Sequence, residues 1–124
     1  MFGSAHDVLV TAAVSPEEVF KALADPTRIA VIERLGVGPA STSELAQPFA
    51  MALPSFTQHL DVLERARIIA SHKNGRVRTY QLTPEPLEVA AIWVLEQRNH
   101  WSRRFDQLDQ FLLTMNDPNK KDTP

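Results

Sequence analysis

Apolar residues recur three and four positions apart through the first half of the chain, and this spacing predicts four short helices. The first three helices begin at side chains that commonly cap helices, namely Ser15, Asp25 and Ser41. We expect the fourth helix to open with Pro54, because proline is favoured in the first helical turn. The first half of the chain is therefore predicted to be helical, with sharp junctions.

The fourth predicted helix has two different sides. When it is projected at about 100° per residue, Phe56, Leu60 and Leu63 fall on one apolar side that we expect to be buried. A polar face of this kind is most often only solvated, so its neighbours must decide what it does. The side chains that face away from the apolar side, or lie at its edge, are Ser55, Thr57, Gln58, His59 and Asp61.

After Arg67 the pattern changes to β-branched runs on either side of Asn74-Gly75, the strongest short signal for a β-hairpin. Cations paired at a turn suit a nucleic-acid backbone or minor groove. The alternative is an edge hairpin that its charges keep from aggregating. The basic residues around the turn are Lys73, Arg76 and Arg78. The apolar supports of the hairpin are expected to be Ile68, Val77, Tyr80 and Leu82.

From about residue 86 a long helix is predicted, with a heptad stripe that only Arg98 interrupts. About thirty residues of helix are roughly 45 Å long, more than so small a domain covers, although packing wholly within one subunit is the alternative. Ile92 and Leu95 lie off the stripe and are expected to hold the helix to its own subunit. We predict a homodimer whose interface contains Phe20, Val94, Trp101, Phe105, Leu108 and Leu112.

The length of 124 residues suits one domain. We expect an N-terminal arm over residues 1–14, a domain over 15–115 whose dimerisation helix spans about 86–115, and a flexible tail over 116–124. No basic residue precedes the short apolar run at the N-terminus, and no stretch approaches the roughly 20 apolar residues of a membrane span. The expectation is a cytoplasmic protein without membrane contact.

Charge is distributed unevenly along the chain. The formal net charge is −2, yet residues 57–82 carry five basic and two acidic residues, whereas residues 83–124 carry five basic and seven acidic ones. A general polyanion-coating protein is therefore not expected, and any contact with a nucleic acid is predicted to be local.

Four helices, a hairpin and a final helix are the order of a winged helix-turn-helix, in which the hairpin is the wing. The predicted fold class is mainly α with a two-stranded β-hairpin, dimeric through the N- and C-terminal helices. In this fold the fourth helix enters the major groove, where hydroxyl and amide side chains suit base edges and flanking arginines suit phosphates. Two such helices in a dimer would lie about 34 Å apart, matching a palindromic site.

Four stretches of this chain resemble the ArsR/SmtB family of bacterial winged-helix repressors: VFKALADPTRIAVIERL, TSELA, PSFTQHLDVLERARII and GRVRTYQL, within about residues 17–82. The resemblance implies a homodimer that binds an inverted-repeat operator in double-stranded DNA and represses transcription, often of its own gene. It implies recognition positions at Ser55, Thr57, Gln58 and His59, with wing contacts from Arg76 and Arg78.

The sequence departs from the family pattern at the sensing site. Many members bind metals through a cysteine pair in the third helix, but ELAQPF stands there and the chain has no cysteine. On the last helix Glu96 and His100 are four residues apart and are interpreted as a surface pair. We predict no metal site and no cofactor, while sensing through ligands other than cysteine stays an alternative. Asp61 occupies a position where lysine is common in the family.

The sequence is compatible with two functions. The first is a DNA-binding repressor, and the second is a winged-helix module that binds proteins without binding DNA. An enzyme is not expected, since the sequence has no phosphate-cradling glycine loop, no nucleophile with an ordered base and no ligand cluster.

Overall fold

A computed structural model describes residues 14–115. The predicted tail over 116–124 and all but the last residue of the predicted arm over 1–14 lie outside the described residues. Contacts divide the chain into two units, one ending at Ala91 and one beginning at Ile92. The described elements are α1 (Pro16–Leu23), α2 (Pro26–Leu35), β1 (Ala40–Ser41), α3 (Thr42–Ala46), α4 (Leu53–Arg65), β2 (Ile69–Asn74), β3 (Val77–Leu82) and α5 (Pro84–Met115).

The predicted caps of the first three helices are confirmed. Ser15 Oγ accepts the backbone N–H of Glu18 over 3.4 Å, and Asp25 Oδ2 accepts that of Arg28 over 3.1 Å. Ser41 and Glu44 form a reciprocal capping box, and the hydrogen bonds from Ser41 lower the pKa of Glu44. These caps are local in sequence, which is why the residues alone predicted them.

Helix α4 begins one residue before the predicted Pro54. Its N-cap is Ala52, which supplies no side-chain hydrogen bond. Phe56, Leu60 and Leu63 are fully buried, as predicted, and pack in one core with residues of α1–α3 and the sheet. The apolar side of α4 therefore fixes the helix to the first unit and leaves its other side exposed.

The predicted hairpin is part of a three-stranded antiparallel sheet in the order β1-β3-β2. The extra strand, Ala40–Ser41, pairs with β3 so that Ala40 faces Tyr80. Asn74 pairs with Val77, so the two-residue loop is Gly75-Arg76 and not Asn74-Gly75. Gly75 has φ 66°, and no described residue near the turn other than glycine has a positive φ, which favours a type II′ rather than a type I′ turn.

Among the predicted apolar supports of the hairpin, Ile68 and Tyr80 are buried and Leu82 is partly buried. The prediction for Val77 was wrong, since its side chain is 52% exposed. Val77 follows the loop directly, where no other element covers the sheet.

The end of α4 uses an unusual residue. Arg67 has φ 63°, in the left-handed region that glycine adopts without cost. The Ile68 N–H donates to the Leu63 carbonyl and the Arg67 N–H donates to the Glu64 carbonyl, each over 3.0 Å. This is the Schellman pattern of helix termination, and it turns the chain directly into β2.

Helix α5 is 32 residues long and begins at Pro84, two residues before the predicted start. Pro86 and Ala90 are buried within the first unit. In the second unit, Ile92 and Leu95 are 56% and 46% exposed, so the expectation that they would be covered by their own subunit was wrong. Within residues 14–115, no helix is both long and apolar enough to cross a membrane.

Candidate nucleic-acid interface

Helices α3 and α4 form the predicted helix-turn-helix. Leu45 of α3 is buried, and the rings of Phe49 and Phe56 lie 5.3 Å apart across the turn between the two helices. This contact joins the turn to the buried side of α4. It holds the opposite, polar side of α4 on the surface.

The predicted recognition residues lie together on α4. Ser55 and Gln58 are exposed, and their side chains make no hydrogen bond within residues 14–115. Thr57 is partly buried and donates its hydroxyl proton to the Pro54 carbonyl over 3.0 Å. Ser55 and Gln58 thus offer free donors and acceptors at the start of a helix that no side chain caps.

His59 is half-buried and tied into the fold. Arg28 Nη1 donates to His59 Nδ1 over 3.0 Å, and Asp25 Oδ2 lies 3.6 Å from the same nitrogen. Partial burial raises the pKa of Asp25, but hydrogen bonds from the Arg28 and Thr27 backbone, together with the nearby Arg28 charge, lower it by more. Its net pKa is below 3.8, so Asp25 is charged at neutral pH.

The predicted wing cations form a compact group. Lys73 and Arg78 are direct cross-strand partners, so their side chains lie on one face of the sheet. Residues two positions apart in a strand point to the same face. That face therefore also carries Ser71 and the buried Ile69 of β2, and the buried Tyr80 of β3. Arg76 is in the loop at the tip. All three cations are exposed.

A hydrogen-bonded chain connects the wing to α4. Arg78 Nη1 donates to Ser71 Oγ over 2.9 Å, and Ser71 Oγ donates to Glu64 Oε2 over 2.7 Å. Arg78 is therefore anchored at its Nη1 nitrogen, whereas Lys73 and Arg76 have no such bond within the described part of the chain.

Asp61 is exposed on the same side of α4 as Gln58. Weaker phosphate binding because of this charge stays a prediction from the sequence. Glu64 is partly buried and accepts a hydrogen bond from Ser71, so Asp61 is the exposed carboxylate on this side of α4.

Three positions of this surface escaped the sequence analysis: Arg28, Asp25 as a neighbour of His59, and Ser71. The sequence predicted only that the stretch ADPTR caps a helix and belongs to the motif shared with the family. No local pattern indicates a contact between residues 31 positions apart. An arginine three positions after the N-cap Asp25 was the only available signal.

The predicted dimer residues fall into two groups. Phe20 is partly buried and packs against the core of the first unit. Val94, Trp101, Phe105, Leu108 and Leu112 belong to the second unit and are between 43% and 57% exposed. The Trp101 and Phe105 rings lie 5.9 Å apart, so they form one continuous apolar surface.

Among residues 14–115, no group of three or more histidine, aspartate or glutamate side chains is arranged to hold a metal ion. Glu96 and His100 are both exposed on α5. They have no further ligand side chain beside them in the described part of the chain.

The fold and this surface define a winged helix-turn-helix DNA-binding protein. A family model described as a helix-turn-helix domain matches residues 23–72. HTH-type transcriptional regulator Rv2034 of Mycobacterium tuberculosis is 44% identical over 73 residues, covering 59% of this chain and 68% of that protein. Transcriptional repressor SdpR of Bacillus subtilis is 34% identical over 77 residues, covering 62% of this chain and 86% of that protein.

Solved structures agree. One crystal structure, of an ArsR family transcriptional regulator, matches with 51% sequence identity and a TM-score of 0.67. The match covers 69% of this chain and 94% of that protein's chain. An ArsR-like transcriptional regulator from Rhodococcus sp. RHA1 has a TM-score of 0.67 at 28% identity, covering 77% and 91%. The chain belongs to the ArsR/SmtB family of winged-helix transcriptional repressors, and it is a DNA-binding regulator.

Proposed function

We propose that the protein is a homodimeric repressor that binds an inverted-repeat operator, including one at its own promoter, in the cytoplasm of a bacterial cell. Each copy places α4 in the major groove and the wing along the neighbouring backbone. It acts by binding and not by catalysis. The observation that carries the proposal is the pairing of an exposed Ser55 and Gln58 on α4 with exposed cations on the wing.

The cross-strand pair Lys73 and Arg78 supports a polyanionic partner. Two like charges directly opposite each other destabilise a sheet, and only Arg78 is bound to a neutralising network, through Ser71. A phosphate backbone relieves this repulsion and gains from counterion release. A hairpin that needed charge only for solubility has no requirement for two cations at one register position.

The roles on α4 follow from chemistry. Gln58 carries both a donor and an acceptor, the pair that matches the adenine edge in the major groove. Ser55 lies in the first turn, where backbone N–H groups are unpaired and the helix dipole favours an anion. We therefore assign base reading to Gln58 and phosphate contact to Ser55, with Thr57 and His59 beside them.

The dimer is supported by the second unit. Large apolar side chains that are about half exposed follow one another along residues 92–115 at heptad spacing. An exposed apolar stripe of this length is typical of a protein-protein interface. A second copy of the chain is the occupant, because a two-fold dimer also presents two α4 helices to the two halves of a palindrome.

The test is binding to DNA from the promoter of its own gene, followed by fluorescence anisotropy over a salt series. We expect a salt-sensitive, sequence-selective complex. Gln58→Ala should reduce selectivity between operator and scrambled DNA by about 1–3 kcal/mol. Arg76→Ala should weaken binding to all sequences and reduce the salt slope by about one.

Gln107→Ala and Arg103→Ala, both on exposed positions of α5, are the matched controls and should leave binding unchanged. Absence of any sequence-selective, salt-sensitive complex would instead favour a module that binds protein and has lost DNA binding.

A further inference from the structure

Arg28 connects the end of α1 to the recognition helix. Its Nε donates to the Ala22 carbonyl over 2.6 Å and its Nη2 to the Lys21 carbonyl over 3.4 Å. Both carbonyls lie in the last turn of α1, where the helix dipole favours a cation. The third contact, from Nη1 to His59 Nδ1 over 3.0 Å, reaches α4.

This last contact fixes the chemistry of the imidazole ring. A guanidinium group has only donors, so Nδ1 of His59 must accept with its lone pair. A neutral imidazole has one ring N–H, which then lies on Nε2. While Arg28 is bound, His59 is the Nε2–H tautomer.

The alternative arrangement is an ion pair of protonated His59 with Asp25. It would place an Nδ1–H against Arg28 Nη1–H, two donors at 3.0 Å. The Asp25 oxygen that faces the ring is 3.6 Å away and already accepts the Arg28 backbone N–H. Because Nδ1 accepts from Arg28, it carries no hydrogen, and the ring N–H lies on Nε2.

The opposite edge of the ring is at the surface. Among the described residues every buried side-chain nitrogen and oxygen has a hydrogen-bond partner, and Nε2 of His59 makes no hydrogen bond with any of them. Nε2 is therefore accessible, on a side chain that is 24% exposed. The ring is too recessed to extend into a groove as Gln58 does, but its edge is open.

We propose that Arg28 is a positioning residue for DNA binding, which holds His59 so that its neutral Nε2–H donates to a backbone phosphate of the operator. The proposal rests on the proposed function, since it assumes that α4 faces DNA. A phosphate is the partner because it is an acceptor at the groove edge. A neutral donor releases no counterion, so this contact adds affinity without adding to the salt slope.

The first test is spectroscopic and is made without DNA. The protein is labelled with ¹⁵N-histidine, and the ring nitrogens are observed by NMR at about pH 8.5, where imidazole is neutral. Loss of one signal set in His59→Gln assigns it among the four histidines. We expect the Nε2–H tautomer for His59 and a mixture in Arg28→Met. An Nδ1–H tautomer in the unaltered protein would overturn the proposal.

The second test compares two amides. In His59→Gln the amide reaches the position of Nε2 and keeps an outward donor, whereas in His59→Asn it reaches only the position of Nδ1. We expect His59→Asn to bind operator and scrambled DNA equally more weakly, about three- to tenfold, with an unchanged salt slope. His59→Gln should stay within about twofold of the unaltered protein.

A double-mutant cycle separates positioning from stability. If Arg28 acts through His59, the losses in operator affinity from Arg28→Met and His59→Asn are not additive. Arg34→Met, which removes another arginine of α2, is the control for helix stability. Additive losses, equal binding by the two His59 amides, or a salt slope reduced by about one in His59→Asn would each overturn the proposal. Failure of the unaltered chain to bind any operator would overturn the proposed function as well.

Discussion

Ser71 of the wing and Glu64 of the recognition helix share a hydrogen bond of 2.7 Å, and Arg78 donates to the same hydroxyl. One small side chain thus couples the orientation of the wing to that of α4. Ser71→Ala should lower the free energy of unfolding by about 0.5–1.5 kcal/mol and speed amide hydrogen exchange in β2 and β3.

Glu64→Gln keeps an acceptor for Ser71 and should preserve most of the exchange protection, while Ser102→Ala on the exposed surface of α5 should change nothing. Unaltered exchange in Ser71→Ala would show that pairing of β3 with β1 holds the wing without this bond.

Arg67 is strained at the end of α4. Its φ of 63° costs a residue with a side chain about 1–2 kcal/mol, part of which glycine returns through its greater freedom in the unfolded chain. Arg67→Gly should therefore stabilise the protein by about 0.5–1 kcal/mol, measured by urea denaturation. Arg67→Ala keeps the strain and should give no gain. Arg65→Gly, two positions earlier within the helix, should destabilise; a gain there too would refute the explanation.

Asp61 opposes the phosphate backbone from an exposed position on α4. Asp61→Asn should raise affinity for DNA about two- to fivefold at low salt, and the gain should shrink as salt screens the charge. Asp106→Asn on α5 is the control. Weaker binding by Asp61→Asn, confined to the operator, would instead identify Asp61 as an acceptor for a cytosine amino group.

Asp25 makes stability depend on pH. Its pKa in the folded protein is below the ordinary value of 3.8, so the carboxylate stabilises the fold above that pH. This contribution is lost as the pH falls through the lower, folded value. Asp25→Asn keeps a good N-cap but cannot titrate. The stability difference between the two proteins, measured by urea denaturation, should be largest above about pH 4 and shrink in acid. A difference independent of pH would contradict the assignment.

Leu108 and Leu113 provide a matched pair for the proposed dimer. Both are exposed on α5, at 50% and 71%, but only Leu108 belongs to the heptad stripe. Leu108→Glu should weaken dimerisation by about 3 kcal/mol or more, a factor of about 100 in Kd, and Leu113→Glu should leave it intact. Sedimentation equilibrium measures both. If both variants stay dimeric, the dimer interface lies outside the heptad stripe.

The sequence predicted what is local. The caps at Ser15, Asp25 and Ser41 need only a few neighbouring residues, and the buried triad of α4 follows from helical periodicity. Strand β1 could not be predicted, because two residues carry no pattern and form a strand only through pairing with Tyr80 and Thr79. The loop was displaced by one residue because strand register, and not the Asn-Gly pair alone, decides which two residues turn.

The candidate site also has a part that the sequence predicted and a part that it could not predict. The exposed positions on α4 and the wing cations are neighbours along one element, so periodicity and charge located them. The contact of Arg28 with His59 and the anchoring of Arg78 by Ser71 join separate elements. Only the packed structure brings these groups together, and they determine which atoms of His59 and Arg78 are left for a ligand.

The Thr57 hydroxyl donates its hydrogen bond to the Pro54 carbonyl. While that bond is kept, the Thr57 oxygen can only accept a hydrogen bond. Phosphate oxygens are also acceptors, so they cannot pair with it. The amino groups of adenine and cytosine in the major groove can do so. Thr57 is thus complementary in polarity to its neighbour His59, and selected operators should carry an amino-bearing base opposite it.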